Sequence, residues 1–88
     1  MAHIGTFVVN TKLKFMKFED IVGLSMVDNV TYICQVQGGK IIACMSDITP
    51  DGGFLVERDE GFACTPINGK KLWIKNMAST DVYITVAD

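Results

Sequence analysis

Apolar and polar residues alternate along most of the chain, and a period of two residues is the pattern of half-buried β-strands. The stretch HIGTFVVN, rich in β-branched residues, predicts a first strand. In TKLKFMKF, Leu13 and Phe15 alternate with lysines, and the pattern then changes phase over residues 16–18 as it would at a β-bulge. The segment FEDIVGLSMVDN fits neither period, so a short helical turn and a strand-linking loop both stay open.

Turn residues divide the remainder of the chain into further strands. VTYICQVQGGKIIACMSD predicts a hairpin, because Gly38 and Gly39 can supply the positive φ angles of a tight two-residue turn. Its second arm, residues 40–45, is apolar on both faces, as in a strand covered on both sides. FLVERDEGFAC predicts two short strands joined by a charged turn, and a last hairpin joins residues 72–76 to residues 82–86.

These elements predict a single all-β domain over residues 1–88. Seven or eight short strands, with turns about every 8–12 residues, are typical of an antiparallel β-sandwich or a jelly-roll-like barrel. No stretch alternates strands with helices as a parallel sheet requires. We therefore expect two layers of antiparallel strands around one core.

The composition is unusually apolar for a domain of 88 residues: 49% of residues are hydrophobic and 20% are charged, against an average of about 25% charged. A small domain cannot hide all of this surface, so part of it is expected to face another subunit, the alternative being a well-filled monomer core. We expect a homo-oligomer, with a trimer as one candidate symmetry. The expected contact residues are Ile41, Ala43 and Met45 of the doubly apolar strand, together with Trp73 and Tyr83.

Charge and hydropathy exclude several partners. The net charge is −2 and no basic stripe is present, so no nucleic-acid partner is expected. The N-terminal MAHIGTFVVN lacks the pattern of a signal peptide, and no apolar run approaches the ~20 residues that span a bilayer. We therefore expect synthesis in the cytoplasm and no membrane partner.

Catalytic groups are sparse. His3 is the one histidine, and its position at the start of the chain makes it a poor partner for a nucleophile. Cys34, Cys44 and Cys64 form no metal-ligand spacing. They are expected to be reduced and buried, a Cys34–Cys44 bridge across the predicted hairpin being the alternative. We expect no enzyme activity and no cofactor.

Acidic residues gather in the central loops: Asp47, Asp51, Glu57, Asp59 and Glu60. Solvated loops are the favoured interpretation, while a calcium site and a glycosidase-type carboxylate pair stay open.

Trp73 is the most informative aromatic residue, because alternation places it on one face with Lys71 and Lys75, opposite Leu72 and Ile74. It could anchor an interface, pack beneath lysine stems or form a ligand platform. In the last of these cases Trp73 and Tyr83 would serve a small ligand- or carbohydrate-binding module.

The segment INGKKLWIKNMASTDVYITVAD, the last quarter of the chain, resembles the C-terminal hairpin of small bacteriophage virion proteins of β-sandwich type, such as head-decoration and head-fibre-base proteins. The shared features are a Gly/Lys turn, an aromatic-containing strand ending in Asn, a short Ser/Thr loop and a last β-branched strand. The resemblance implies a structural or accessory role in the virion, in symmetric oligomers that pack on a capsid or another virion protein, without cofactor or catalysis.

Overall fold

The computed structural model of the protein describes residues 3–10, 14–23, 25–78 and 80–88. Within them lie one short helix, α1 (Phe18–Val22), and eight strands: β1 (His3–Val9), β2 (Met16–Lys17), β3 (Tyr32–Gln37), β4 (Ile41–Ser46), β5 (Phe54–Val56), β6 (Gly61–Cys64), β7 (Lys71–Asn76) and β8 (Val82–Ala87). Among the described residues, no helix has the length and hydropathy needed to cross a membrane.

The strands form two four-stranded antiparallel sheets. Sheet A has the order β1-β8-β3-β6 and sheet B the order β2-β7-β4-β5. The first strand pairs with the last, the second with the seventh, the third with the sixth and the fourth with the fifth. The chain therefore resembles one long hairpin rolled into two layers, which is the jelly roll. The predicted all-β sandwich is confirmed.

Both predicted hairpins are wrong, although their strands exist. β3 belongs to sheet A and β4 to sheet B, and β7 and β8 are divided in the same way. In the described part of the chain, β4 and β5 are the only consecutive strands that pair with each other. Glycine-rich turns fit a passage between sheets as well as a turn within one, so local sequence does not decide between them.

Gly39 lies in the connection where the chain crosses from sheet A to sheet B. Gly38 has a φ of 87°, whereas Gly39 is required by crowding: a Cβ there would lie 2.7 Å from the Ala78 Cβ and 3.1 Å from the Val82 Cγ2. The β3–β4 crossing thus packs against the β7–β8 crossing, and the two connections meet at one end of the sandwich.

Gly39→Ala is expected to lower the free energy of unfolding by about 1–3 kcal/mol, because the added methyl group overpacks this contact. Gly52→Ala is the matched control, since a Cβ at Gly52 meets nothing within 4 Å. Urea denaturation of both variants measures the difference. Equal stabilities would show that the two crossings do not constrain each other.

The phase change over residues 16–18 marks a change of element and not the predicted bulge. β2 ends at Lys17 and α1 begins at Phe18, while residues 11–13 of the predicted second strand lie outside the described residues. Phe18 is fully buried and meets Phe7 edge-on, with ring centroids 6.0 Å apart. α1 therefore closes the edge of the sandwich formed by β1 and β2, and Gly23, at φ 70°, ends it.

The core lies between the inner faces of the two sheets. On β3, alternate side chains are buried and exposed as predicted: Tyr32, Cys34 and Val36 face inward, and Ile33, Gln35 and Gln37 face outward. Val82, Ile84 and Val86 of β8 and Leu72 and Ile74 of β7 complete the centre. These side chains supply most of the apolar burial that stabilises a domain of this size.

Candidate functional site

Three of the predicted contact residues lie on the inner face of sheet B. Ile41 is fully buried and Ala43 is 6% exposed, both within the core cluster. Met45 is half-buried and packs against the same cluster. The doubly apolar strand therefore covers the core of the monomer, and a partner subunit would have no access to Ile41 or Ala43 without opening the sandwich.

Trp73 occupies the outer face of sheet B, as its alternation with Leu72 and Ile74 predicts. Its exposed fraction is nevertheless 8%. The indole Nε1 donates a hydrogen bond of 3.0 Å to the Ser46 carbonyl oxygen, and the Lys17 Nζ lies 5.7 Å from the ring centroid. The tryptophan is covered by its own chain, which leaves it little surface for a partner or a sugar.

Tyr83 lies on the opposite side of the molecule from Trp73. It points outward from β8 in sheet A and is 44% exposed, whereas Trp73 belongs to sheet B. The predicted stacking platform shared by Trp73 and Tyr83 is therefore wrong. The prediction requires β7 and β8, which are adjacent in sequence, to be adjacent in space, and in this topology they lie in different sheets.

The outer face of sheet A lacks acidic and strongly basic side chains. None of its four strands, all within the described residues, contains Lys, Arg, Asp or Glu. We call this surface the sheet A face; by the strand register it comprises His3, Thr6, Val8, Ile33, Gln35, Gln37, Ala63, Tyr83, Thr85 and Ala87. An exposed antiparallel face normally bears charged residues, and their depletion is typical of buried interfaces.

The polar groups of the sheet A face are partly satisfied among themselves. The Oγ1 atoms of Thr6 and Thr85 are hydrogen bonded at 2.9 Å across β1 and β8. Beside this pair, Val8 is 45% exposed and Ile33 is 37% exposed. Hydroxyl groups that are hydrogen bonded to each other keep that bond when water is removed. Burying this face therefore costs less free energy than burying a charged one.

The outer face of sheet B is basic by contrast. Lys17, Lys71 and Lys75 project from β2 and β7. Lys71 lies 3.8 Å from Glu19 and 3.9 Å from Asp28, contacts that contribute little because all three side chains are partly solvated. The two outer faces are thus chemically distinct, since the lysines of the strands project from sheet B alone.

The cysteines are free, and a Cys34–Cys44 bridge is not formed. Cys34 faces the core from sheet A, whereas Cys44 lies on the outer side of sheet B, so the two thiols cannot meet. Cys34 instead lies diagonally across from Cys64 of the neighbouring strand β6, since Cys34 pairs with Phe62 and Cys64 with Tyr32. A hydrogen bond between these two thiols, together with burial, raises the pKa of Cys34, while the same hydrogen bond lowers the pKa of Cys64.

The remaining candidate residues do not converge. His3 is exposed at the first position of β1. The acidic residues lie in the β4–β5 and β5–β6 connections, and among the described residues no group of three or more His, Cys, Asp or Glu side chains could hold a metal ion. Glu60 caps its own turn, its Oε1 accepting a hydrogen bond of 2.8 Å from the Glu57 backbone N–H.

Comparison of this chain with models of protein families, with characterised proteins and with solved structures gives no match. The jelly roll serves capsid proteins, lectins and cupins alike, so the fold by itself does not choose among functions. The features of this molecule that bear on function are the sheet A face and the interior of the sandwich.

Proposed function

We propose that this protein is a non-enzymatic assembly protein whose copies associate through the sheet A face and pack on a larger lattice. The observation that carries the proposal is the absence of Lys, Arg, Asp and Glu from the strands of sheet A, most of whose outer residues are exposed in the monomer. Lys and Glu are the residues most depleted from interface cores, and tyrosine, represented here by Tyr83, is enriched there.

The size of the sheet A face indicates weak pairwise contacts. Four strands about 4.8 Å apart, with seven residues in β1, six in β8, six in β3 and four in β6 at about 3.3 Å per residue, cover roughly 360 Å² in projection. A stable interface buries about 800 Å² on each partner. A single face of this kind therefore needs flanking loops or repeated copies to hold firmly, which suits a subunit bound at many equivalent positions.

A virion accessory role fits these properties. Small jelly rolls are used in capsids, and a decoration protein needs a self-complementary or lattice-complementary face more than it needs a catalytic cleft. We therefore propose a capsid or another virion protein as the second partner, with synthesis in the host cytoplasm and final location in the particle. The resemblance of the C-terminal quarter to phage virion proteins supports the same role.

Introducing charge into the sheet A face tests the proposal. Gln35 is exposed near the centre of this face, on β3. Gln35→Lys is expected to weaken self-association by about tenfold or more, because like charges meet when two copies approach. Analytical ultracentrifugation from micromolar to near-millimolar protein measures the change in average mass with concentration.

Leu55→Lys is the matched control, since it adds the same charge to an exposed position on sheet B. Its self-association is expected to equal that of the wild-type protein. The proposal fails if the wild-type protein stays monomeric throughout the concentration range, or if both lysine variants weaken association equally.

The carbohydrate-binding alternative loses its predicted site, because Trp73 and Tyr83 point away from each other on separate sheets. Sugar stacking requires an exposed ring, and of these two residues only Tyr83 provides one.

A further inference from the structure

The two edges of the sandwich differ in how they are covered. α1 covers the β1/β2 edge and inserts Phe18 into the core. At the opposite edge, β5 has three residues and β6 has four, so both sheets stop short. A cavity of about 310 Å³ opens there between the layers. Its volume falls within the range of about 300–1,000 Å³ found for small-molecule sites.

The cavity wall is apolar. Among the described residues that line it, none bears a charge or a hydroxyl group. Besides Phe54, the inward-facing members of the wall by strand register are Ala43, Met45, Val56, Phe62, Cys64 and Leu72. Such a wall offers no charged or hydroxyl partner to an ion or a sugar, so a polar guest would lose most of its hydration without compensation. The guest that fits is neutral and apolar.

Sulfur and aromatic groups in the cavity wall indicate that the guest is aromatic. The Met45 thioether and the Cys64 thiol belong to the wall, as does the Phe62 ring. Divalent sulfur makes favourable contacts with aromatic rings, and rings pack edge-on or offset against one another. A dry apolar cavity of about 150 Å³ holds one benzene. This cavity has about twice that volume and is therefore suited to a fused two-ring aromatic.

Phe54 lies at the mouth of the cavity. It is 81% exposed on the edge strand β5, yet its position opposite Ala43 places it on the cavity side of the sheet. An unpaired aromatic ring beside an open apolar cavity can cover a bound guest. We propose that the cavity between β5 and β6 is a binding site for a neutral aromatic small molecule, distinct from the sheet A face.

A neutral naphthylamine dye, N-phenyl-1-naphthylamine, tests this proposal in the wild-type protein. Trp73 is the one tryptophan of the chain, and it is adjacent to Leu72 of the cavity wall. Excitation of the indole should therefore sensitise dye emission. We expect saturable binding of one dye per chain. Absence of saturable binding would overturn the proposal.

Filling the cavity should displace the dye. Ala43→Leu places a branched side chain in the cavity and is expected to weaken dye binding by about tenfold or more, because the guest and the new side chain compete for one volume. Unchanged affinity in a folded Ala43→Leu protein would overturn the assignment. If this variant does not fold, Phe54→Asn at the exposed mouth decides, with an expected loss of about threefold to tenfold and with unchanged affinity as the contrary result.

Leu55→Asn is the matched control. Leu55 precedes Val56 on the same edge strand and is 53% exposed, but it lies on the outer side and does not line the cavity. Its dye affinity should equal that of the wild-type protein. A loss as large as that of Phe54→Asn would place the dye on the apolar edge surface and overturn the cavity site. Gln35→Lys, which tests self-association, leaves this cavity intact, so the two proposals can fail separately.

Discussion

Asn76→Leu is expected to lower the free energy of unfolding by about 3–5 kcal/mol, one of the two largest effects that we anticipate from a single substitution. Asn76 ends β7 and is the buried polar residue of the core, with 2% of its surface exposed. Both the nitrogen and the oxygen of its side-chain amide are hydrogen bonded. Leucine has a similar volume but can neither donate nor accept a hydrogen bond.

The loss follows from the groups that Asn76 satisfies. Its Nδ2 donates to the carbonyl oxygens of Val9 at 2.9 Å and Thr80 at 3.0 Å. Its Oδ1 accepts a hydrogen bond of 2.7 Å from the Ala78 backbone N–H. One side chain thus joins the end of β1 to the β7–β8 crossing. Removing it leaves three backbone groups without this partner, and each costs about 1–3 kcal/mol where water cannot replace it.

Asn10→Ala provides the comparison, because Asn10 is exposed immediately after β1 and should change stability by no more than about 0.5 kcal/mol. Both variants can be measured by urea denaturation with circular dichroism. A domain of this size has a total stability of about 5–10 kcal/mol, so Asn76→Leu should unfold well below the wild-type midpoint. Equal midpoints for the two variants would show that the crossing does not depend on the Asn76 amide.

The positions of the strands and their buried faces could be predicted from the sequence, because side chains along a strand alternate between the core and the outer side. On β3, the alternation of the buried Tyr32, Cys34 and Val36 with outward-facing residues is a local property. Which strand pairs with which is not local. Gly39 is selected by its approach to Ala78 and Val82, about 40 residues further along the chain, and a glycine pair gives no sign of such a neighbour. Local sequence therefore predicts a hairpin turn where the chain crosses between sheets.

The candidate sites show the same division. The orientation of Trp73 follows from alternation, but its burial depends on Lys17 and on the Ser46 carbonyl, which come from other strands. The uncharged strands HIGTFVV, YICQVQ, GFAC and VYITVA are visible in the sequence. Their outer residues form one continuous surface because all four strands lie in the same sheet, and this pairing cannot be read from the sequence. The cavity has no local signal, because it results from two strands that are short at the same edge.

Trp73→Ala is expected to lower the free energy of unfolding by about 3–5 kcal/mol while leaving self-association of the folded protein unchanged. Trp73 is 8% exposed in the monomer. It packs across β2 and β4 on the outer side of sheet B. Its removal exposes the strands beneath and leaves the Lys17 stem without its partner. The sheet A face lies on the other layer and is untouched.

Trp73→Phe separates packing from hydrogen bonding at this position. Phenylalanine keeps a ring against Lys17 but lacks the indole N–H that bonds to the Ser46 carbonyl oxygen, so a smaller loss of about 1–2 kcal/mol is expected. Urea denaturation gives the stabilities, and ultracentrifugation below the unfolding transition gives the association. If Trp73→Ala abolished association while stability stayed at the wild-type value, the indole would belong to an interface on sheet B and the sheet A face would lose its assignment.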